Sequence, residues 1–291
     1  MTKKQKGILF IITSAFCFSL MNMFVKLSGD LPSVQKSFFR NLVAVVVAAI
    51  LLKRSGAAFR WKKGNLGLLI ARSVFGTLGI LCNYYAISHM NLADASMLNK
   101  LSPFFVILFS YFFLKEKVTP TQAFCVIAAF LGSLFIIKPG FAFGDTLPAL
   151  LGFFGGFGAG AAYTAVRGLG LKGENGSFIV FFFSVFSCAA ILPVLIFIYE
   201  PMSPLQLLYL LLAGICASGG QFAITAAYAN APASEISIYD YSIVIFASIW
   251  SFLFWHDIPD ALSVIGYLII FGSSLLMFLH NSKRAKQRIE I

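Results

Sequence analysis

The sequence predicts an all-α integral membrane protein of ten transmembrane helices, built as two inverted five-helix repeats. Three observations lead there. First, the 291 residues are 59% hydrophobic and only 11% charged, with a mean hydropathy of +0.88, and a soluble domain cannot carry so little polar surface. Second, ten apolar stretches approach the roughly 20 helical residues needed to cross a hydrocarbon core. Third, segments in the two halves of the chain align at a shared offset of 140 or 141.

The ten spans are expected at 7–27, 34–52, 66–88, 92–114, 120–138, 147–167, 177–199, 205–229, 233–255 and 259–280. The first follows Lys3, Lys4 and Lys6, as a secretion signal would. It is long enough to span, however, and no small-residue cleavage site leads into a soluble domain, so it reads as a membrane helix. His89–Asn91 and Asn230–Pro232 are so short that they imply tight helical hairpins.

Orientation follows from the positive charges. With both termini in the cytoplasm, sixteen of the 22 Lys and Arg residues fall on the inner side, from Lys3 through Lys53, Lys62, Lys117 and Arg167 to Arg288. Lys138 falls outside, Lys26 and Lys36 lie near the outer edges, and Arg40, Arg72 and Lys100 lie within spans. The net charge of +11 is therefore spread over loops and tails, which excludes a nucleic-acid-binding face. The basic tail from Lys283 onward suits anionic headgroups. Cys17, Cys82, Cys125, Cys188 and Cys216 all lie in apolar segments without metal-ligand spacing and read as small buried hydrophobes.

The repeat divides the chain at 1–141 and 142–291. Ala48–Leu51 matches Ala189–Leu192, Ser37-Phe38 matches Ser177-Phe178, Ser102 matches Ser242, and Gly132-Ser133 matches Gly272-Ser273. Each match is weak alone; the common offset carries the argument. Five spans per repeat is an odd number, so the second copy enters the membrane from the opposite side. Such a pair can pack in two nearly equivalent ways, which is the basis of alternating access.

Lys100 and Asp240 stand out. They have opposite charge, lie inside spans four and nine, and are 140 positions apart. A charge at membrane depth is costly and by default marks a functional site. The pair is either a structural tie or a couple that substrate or a proton breaks during the cycle, with Asp240 as the titrating partner.

Residues 94–104, DASMLNKLSPF, followed by Phe113–Lys117 and Gly132, together with Arg72–Gly79 and Asn83–Ala86 in span three, resemble the EamA domain of the drug/metabolite transporter superfamily. The resemblance covers nearly the whole chain as two repeats. It implies ten helices, a central cavity lined mainly by spans one, three, four, six, eight and nine, and secondary transport or exchange. Ile243 stands where the repeat's Pro is expected and His256 stands opposite Glu116, so the halves are not functionally equivalent.

Beside Lys100 and Asp240, the expected substrate-binding residues are Arg72, Asn83, Tyr84, Tyr85, Tyr163, Tyr239, Tyr241, Gln221 and Thr225. A guanidinium in span three either snorkels to the inner headgroups or clamps an anion. Polar-tipped rings near a charge suit stacking on an organic solute. Asp94 and Glu235 begin spans four and nine near an interface, where hydration and helix N-termini favour acids, and they join Asp240 as coupling or gating candidates. Arg40 is assigned a structural role. Gly152, Gly156 and Gly160 suit close helix packing within the bundle, with dimerisation as the alternative. His256-Asp257 reads as a solvated loop pair.

No catalytic motif, metal-ligand spacing or nucleotide-binding loop is present in the sequence, so neither enzyme chemistry nor a cofactor is expected. The expected function is secondary transport of a small organic metabolite across the cell membrane, with a proton as a candidate coupling ion. A carboxylate-bearing or zwitterionic solute such as an amino acid leads, because positive charges outnumber negative ones within the spans. A nucleoside-like or flavin-like aromatic follows. An intramembrane enzyme acting on lipid-linked substrates is the competing class. Monomer and homodimer both stay open.

Overall fold

A computed structural model describes residues 3–54, 56, 59–114, 118–137, 143–230 and 237–287. Glu235, Lys138, Lys115–Lys117, most of the Asn230–Pro232 hairpin, and the side chains of Arg167 and Thr225 lie outside what is described.

The described residues are helical and contain no strand. The helices are α1 (Lys3–Leu27), α2 (Ser33–Arg54), α3 (Leu66–His89), α4 (Leu92–Asn99), α5 (Ser102–Leu114), α6 (Pro120–Ile137), α7 (Phe143–Leu171), α8 (Gly176–Ile198), α9 (Pro204–Asn230), α10 (Ser242–Trp255) and α11 (Ala261–Gln287), with a 3₁₀ turn at Ser237–Tyr241 leading into α10. Among the described residues nine segments are long and apolar enough to cross a membrane, one of them made jointly by α4 and α5. The segment Tyr239–Trp255 is apolar but shorter.

Local chemistry explains the ends. Asn91 Oδ1 caps α4 by accepting the Ala93 N–H at 2.8 Å, and Asn175 Oδ1 caps α8 through Ser177 and Phe178 at 2.9 and 3.2 Å. Helix α10 stops at His256, whose left-handed backbone (φ 54°) supplies the terminal turn. The outward faces carry large apolar side chains, such as Phe112 at 64% and Phe197 at 87% exposure, as lipid contact requires.

The packing is mirrored between the halves. Helix α1 lies along α9 and α3 lies along α7; α1 meets α10 while α7 meets α4 and α5. Helix α2 packs on α8 and α9, and α8 packs on α2 and α3. Helices α6 and α11 pair separately.

Glycines permit the closest approaches. Gly152, Gly156 and Gly160 of α7 face the α4–α5 region: a Cβ at Gly156 would lie 2.6 Å from the Leu98 carbonyl oxygen, and one at Gly160 would lie 2.4 Å from Phe105 Cβ. They pack inside the bundle, as the four-residue spacing suggests. Gly158 makes another close backbone crossing, with α3. A Cβ at Gly158 would lie 2.8 Å from Gly79 Cα and 2.9 Å from the Phe75 carbonyl oxygen. Backbone cannot step aside as a side chain can, so Gly158→Ala is expected to destabilise by roughly 1–3 kcal/mol. Gly170→Ala, which meets nothing within 4 Å, leaves Tm unchanged. Thermal melts of the detergent-purified variants check both.

Candidate functional site

Lys100 and Asp240 meet. Lys100 Nζ donates to Asp240 Oδ2 across 140 positions of sequence, and the side chains keep 12% and 19% exposure. The helix at Lys100 is not continuous, although Leu92–Phe113 is long and apolar enough for the span expected at 92–114; the span expected at 233–255 is described from Ser237 onward. Helix α4 stops at Asn99 and α5 begins at Ser102. Pro103 has no N–H to give the Asn99 carbonyl, so the ladder lapses at Lys100 and Leu101. The Lys100 N–H is instead shared between the Ser96 and Met97 carbonyls at 3.2 and 3.0 Å. On the other side, Asp240 sits in the 3₁₀ turn that starts α10.

This geometry suits both charges. The ammonium lies at the C-terminus of α4 and the carboxylate at the N-terminus leading into α10, each at the helix end that favours its sign. Helix ends at membrane depth recur in transporter binding sites. Tyr241, 6% exposed, donates its hydroxyl to the Lys100 carbonyl at 3.2 Å and sets its ring edge-on to Phe271. Asp240 Oδ1 is buried and accepts no hydrogen bond, so one carboxylate oxygen is left over for a solute group, water or a proton. Tyr239, next in sequence, is 40% exposed.

The other expected residues divide into separate groups. Arg72 turns away from the headgroups at its own end of α3: an added Cβ at Gly76, one turn further into the span, would lie 2.1 Å from Arg72 Nη1. Its guanidinium stacks 4.1 Å from the Phe183 ring centroid and interacts with Tyr163, which is 49% exposed. Tyr84 is 1% exposed, beside Arg40. Asn83 is buried against Gly155 of α7. Tyr85 stacks on His89 at 4.0 Å, at the end of α3. Gln221 is partly buried in α9.

One expectation needs correction. Asp94 is not a hydrated interfacial acid: it is 8% exposed and accepts the Tyr267 hydroxyl at 2.6 Å, because α11 covers the start of α4. Lys36, in the first turn of α2, is fully buried and donates to the Gly29 carbonyl and the Ser88 hydroxyl, both at 2.6 Å.

Sequence reasoning missed a clasp at this end of the bundle. Lys26 Nζ reaches Asp257 Oδ2 at 3.3 Å and the Met90 carbonyl at 3.0 Å, and lies 4.7 Å from the centroid of Trp255. It ties the end of α1 to the α3–α4 hairpin and the exit of α10. The loop pair His256-Asp257 was the only signal, and it pointed to solvent.

At the opposite end Glu174 Oε2 accepts from Asn65 Nδ2 at 2.7 Å and from the Lys62 N–H at 3.0 Å. Burial pushes the Glu174 carboxyl up, but these hydrogen bonds, one from the Asn175 N–H and the Lys62 charge outweigh it, so it sits below its usual 4.5. A depressed carboxylate stabilises the fold above its unfolded-state pKa, and that contribution disappears as pH falls through the folded value. Glu174→Gln is expected to lower Tm slightly at neutral pH and not at all once the wild-type carboxyl is protonated, which a pH series of melts reads out.

An apolar groove of about 440 Å³ between α6 and α7, walled by Ile127, Leu131, Leu134, Phe153 and Phe154, offers almost nothing polar and suits a lipid chain rather than a polar solute. Among the described residues no cluster of His, Cys, Asp or Glu could hold a metal ion.

Comparison with known proteins gives a consistent result. Residues 5–138 and 146–279 each match the model of the EamA-like transporter family. The chain is 32% identical over 268 residues to the pseudopaline exporter CntI of Pseudomonas aeruginosa, covering 91% of this chain and 93% of that one. It is 30% identical over 285 residues to human solute carrier family 35 member G1, covering 92% and 78%. The riboflavin transporter of Brucella anthropi matches at 30% over 132 residues, 44% of this chain and 46% of that one. One solved structure, 15% identical, superposes with a TM-score of 0.66 over 96% of this chain and 99% of that chain, which speaks to the fold alone.

Proposed function

We propose that this chain, which belongs to the EamA-like transporter family and is a multi-pass membrane transporter rather than an enzyme, is a secondary carrier of a small carboxylate-bearing or zwitterionic metabolite. The observation that carries the reading is the Lys100–Asp240 couple, held at two helix ends within the bundle with one carboxylate oxygen unpartnered. A solute with an acid group competes for Lys100; one with an ammonium group competes for Asp240; a proton on Asp240 releases both. Opening and re-forming the couple then links binding to a change of access.

The remaining architecture completes the reading. The two repeats, 1–141 and 142–291, are inverted and together make ten crossings, with span nine formed by the 3₁₀ turn and α10. The mirrored helix pairings support this. Both termini lie in the cytoplasm, as the distribution of Lys and Arg favours, which puts the Lys26 clasp outside and Glu174 inside.

A second reading, an aromatic metabolite, draws on the part-chain similarity to a riboflavin transporter and on the exposed rings of Tyr163 and Tyr239. Counterflow in proteoliposomes loaded with amino acids, dicarboxylates, nucleosides or flavins separates the two. The acidic and zwitterionic panel is expected to show trans-stimulated uptake of unaltered solute. Trans-stimulation confined to flavins or nucleosides favours the second reading, and absence of any counterflow removes both.

A further inference from the structure

We infer that Arg40 and Arg72 together form an oxyanion clamp, a binding point for a carboxylate or phosphate group of the solute that is separate from the Lys100–Asp240 couple. The inference deepens the carrier reading and depends on it for the word solute. The clamp enlists Arg40, whose expected role was structural, and pairs it with Arg72, already an expected substrate-binding residue.

Depth is the first argument. Arg40 lies seven residues into α2 and Arg72 six residues into α3, about 10 and 9 Å from the respective helix starts at 1.5 Å per residue. Consecutive spans run in opposite directions, so the two residues enter from opposite ends of the bundle. Arg72 extends towards Gly76, away from its own end, where the absent Cβ leaves room for the guanidinium. Arg40 and Arg72 are near enough to interact electrostatically. Both therefore lie deeper than lipid headgroups.

Compensation is the second argument. Among the described residues the salt bridges are Lys26–Asp257 and Lys100–Asp240, and neither involves these arginines. Arg40 Nη1 donates to Asn41 Oδ1 at 2.6 Å, and Asn41 Nδ2 is itself held by Ser187 Oγ at 2.8 Å. Arg72 is braced by the face of Phe183, which is 4% exposed. The neighbouring groups are phenols, Tyr84 at Arg40 and Tyr163 at Arg72. Arg40 Nε and Arg72 Nε are both buried without a hydrogen bond, as are Thr77 Oγ1 on α3 and Ser184 Oγ on α8. Unspent donors on two rigidly braced cations, with no described carboxylate between them, are what an oxyanion ligand would satisfy. Guanidinium forks pair with carboxylate and phosphate in two-point geometry, and an uncompensated pair of cations at membrane depth is otherwise costly.

The test is thermal unfolding of the full-length purified protein with succinate, glutamate or inorganic phosphate, against sodium chloride at equal ionic strength. At least one of these anions is expected to raise the wild-type midpoint beyond chloride, with apparent affinity at least tenfold weaker in Arg40→Gln, Arg72→Gln and Gly76→Ala. No anion-specific rise in wild type, or an unchanged affinity in the Gln variants, overturns the clamp. If the Gln variants fail to fold, Arg40→Lys and Arg72→Lys keep the charge but lose the fork. A severalfold weaker response supports the clamp, and an undiminished one overturns it. Repeating the titration with added phosphatidylglycerol separates the sources: if the lipid alone gives the full rise and abolishes the succinate response, the site is a headgroup site and the solute assignment falls. Counterflow in wild type without an anion-specific rise overturns the clamp alone, whereas an anion-specific rise without counterflow overturns the carrier reading alone.

Discussion

Lys100→Met and Asp240→Asn are each expected to reduce counterflow to a small residual, and the Lys variant to lower stability as well. Methionine leaves Asp240 in a largely buried position with no cation, a situation that typically costs about 3–5 kcal/mol. Combining Lys100→Met with Asp240→Leu removes both charges and is expected to recover most of that stability, because well-packed apolar replacements of a buried ion pair are commonly neutral or better. Transport does not return with it. This separation distinguishes a working couple from a structural tie between α4 and α10. Should the doubly apolar variant carry solute at the wild-type rate, the couple is a tie only. Melting curves and counterflow on the same preparations give both readouts.

The second large effect is expected at the clasp. Lys26 holds an ion pair, a backbone carbonyl and an aromatic face at once. Asp257 is 43% exposed in its side chain, so the ion pair alone contributes little. With the cation–π contact the clasp is worth about 1–2 kcal/mol, enough to shift a two-state equilibrium roughly 5- to 30-fold. Lys26→Met is expected to favour the conformation open at that end. A reporter Ser96→Cys, buried at 2% exposure one turn before Lys100, should then label faster with an impermeant maleimide added from outside. Lys26→Asp with Asp257→Lys should restore slow labelling in part, since the ion pair returns while the ammonium over Trp255 does not. An unchanged labelling rate in Lys26→Met means that the clasp does not hold that end shut.

How much of this was legible in the sequence follows from what each feature depends on. Crossing segments depend on local apolarity, so the helical layout could be read directly. The Lys100–Asp240 contact could be read as well, because two costly charges at matching repeat positions have few ways to be compensated. Partner choice elsewhere depends on helix rotation and long-range packing. Asp94 looked interfacial by its place at the start of a span, yet Tyr267, 173 positions later, covers it. Lys26 finds Asp257 across 231 positions, and the local pair His256-Asp257 pointed to solvent rather than to that partner. The lapse between α4 and α5 did have a signal in Pro103. The 3₁₀ turn around Asp240 has none, since Ile243 occupies the corresponding place. Arg40 and Arg72 were visible as intramembrane cations, but the direction of each side chain, set by Asn41, Gly76 and Phe183, was not.

The most direct test of the account is the pH dependence of solute counterflow in proteoliposomes containing wild type or Asp240→Asn. Opening of the couple by a proton or by solute predicts a pH-dependent wild-type rate, and a variant whose residual flux is small and flat with pH. A variant that carries solute at the wild-type rate, with the same pH profile, contradicts the account.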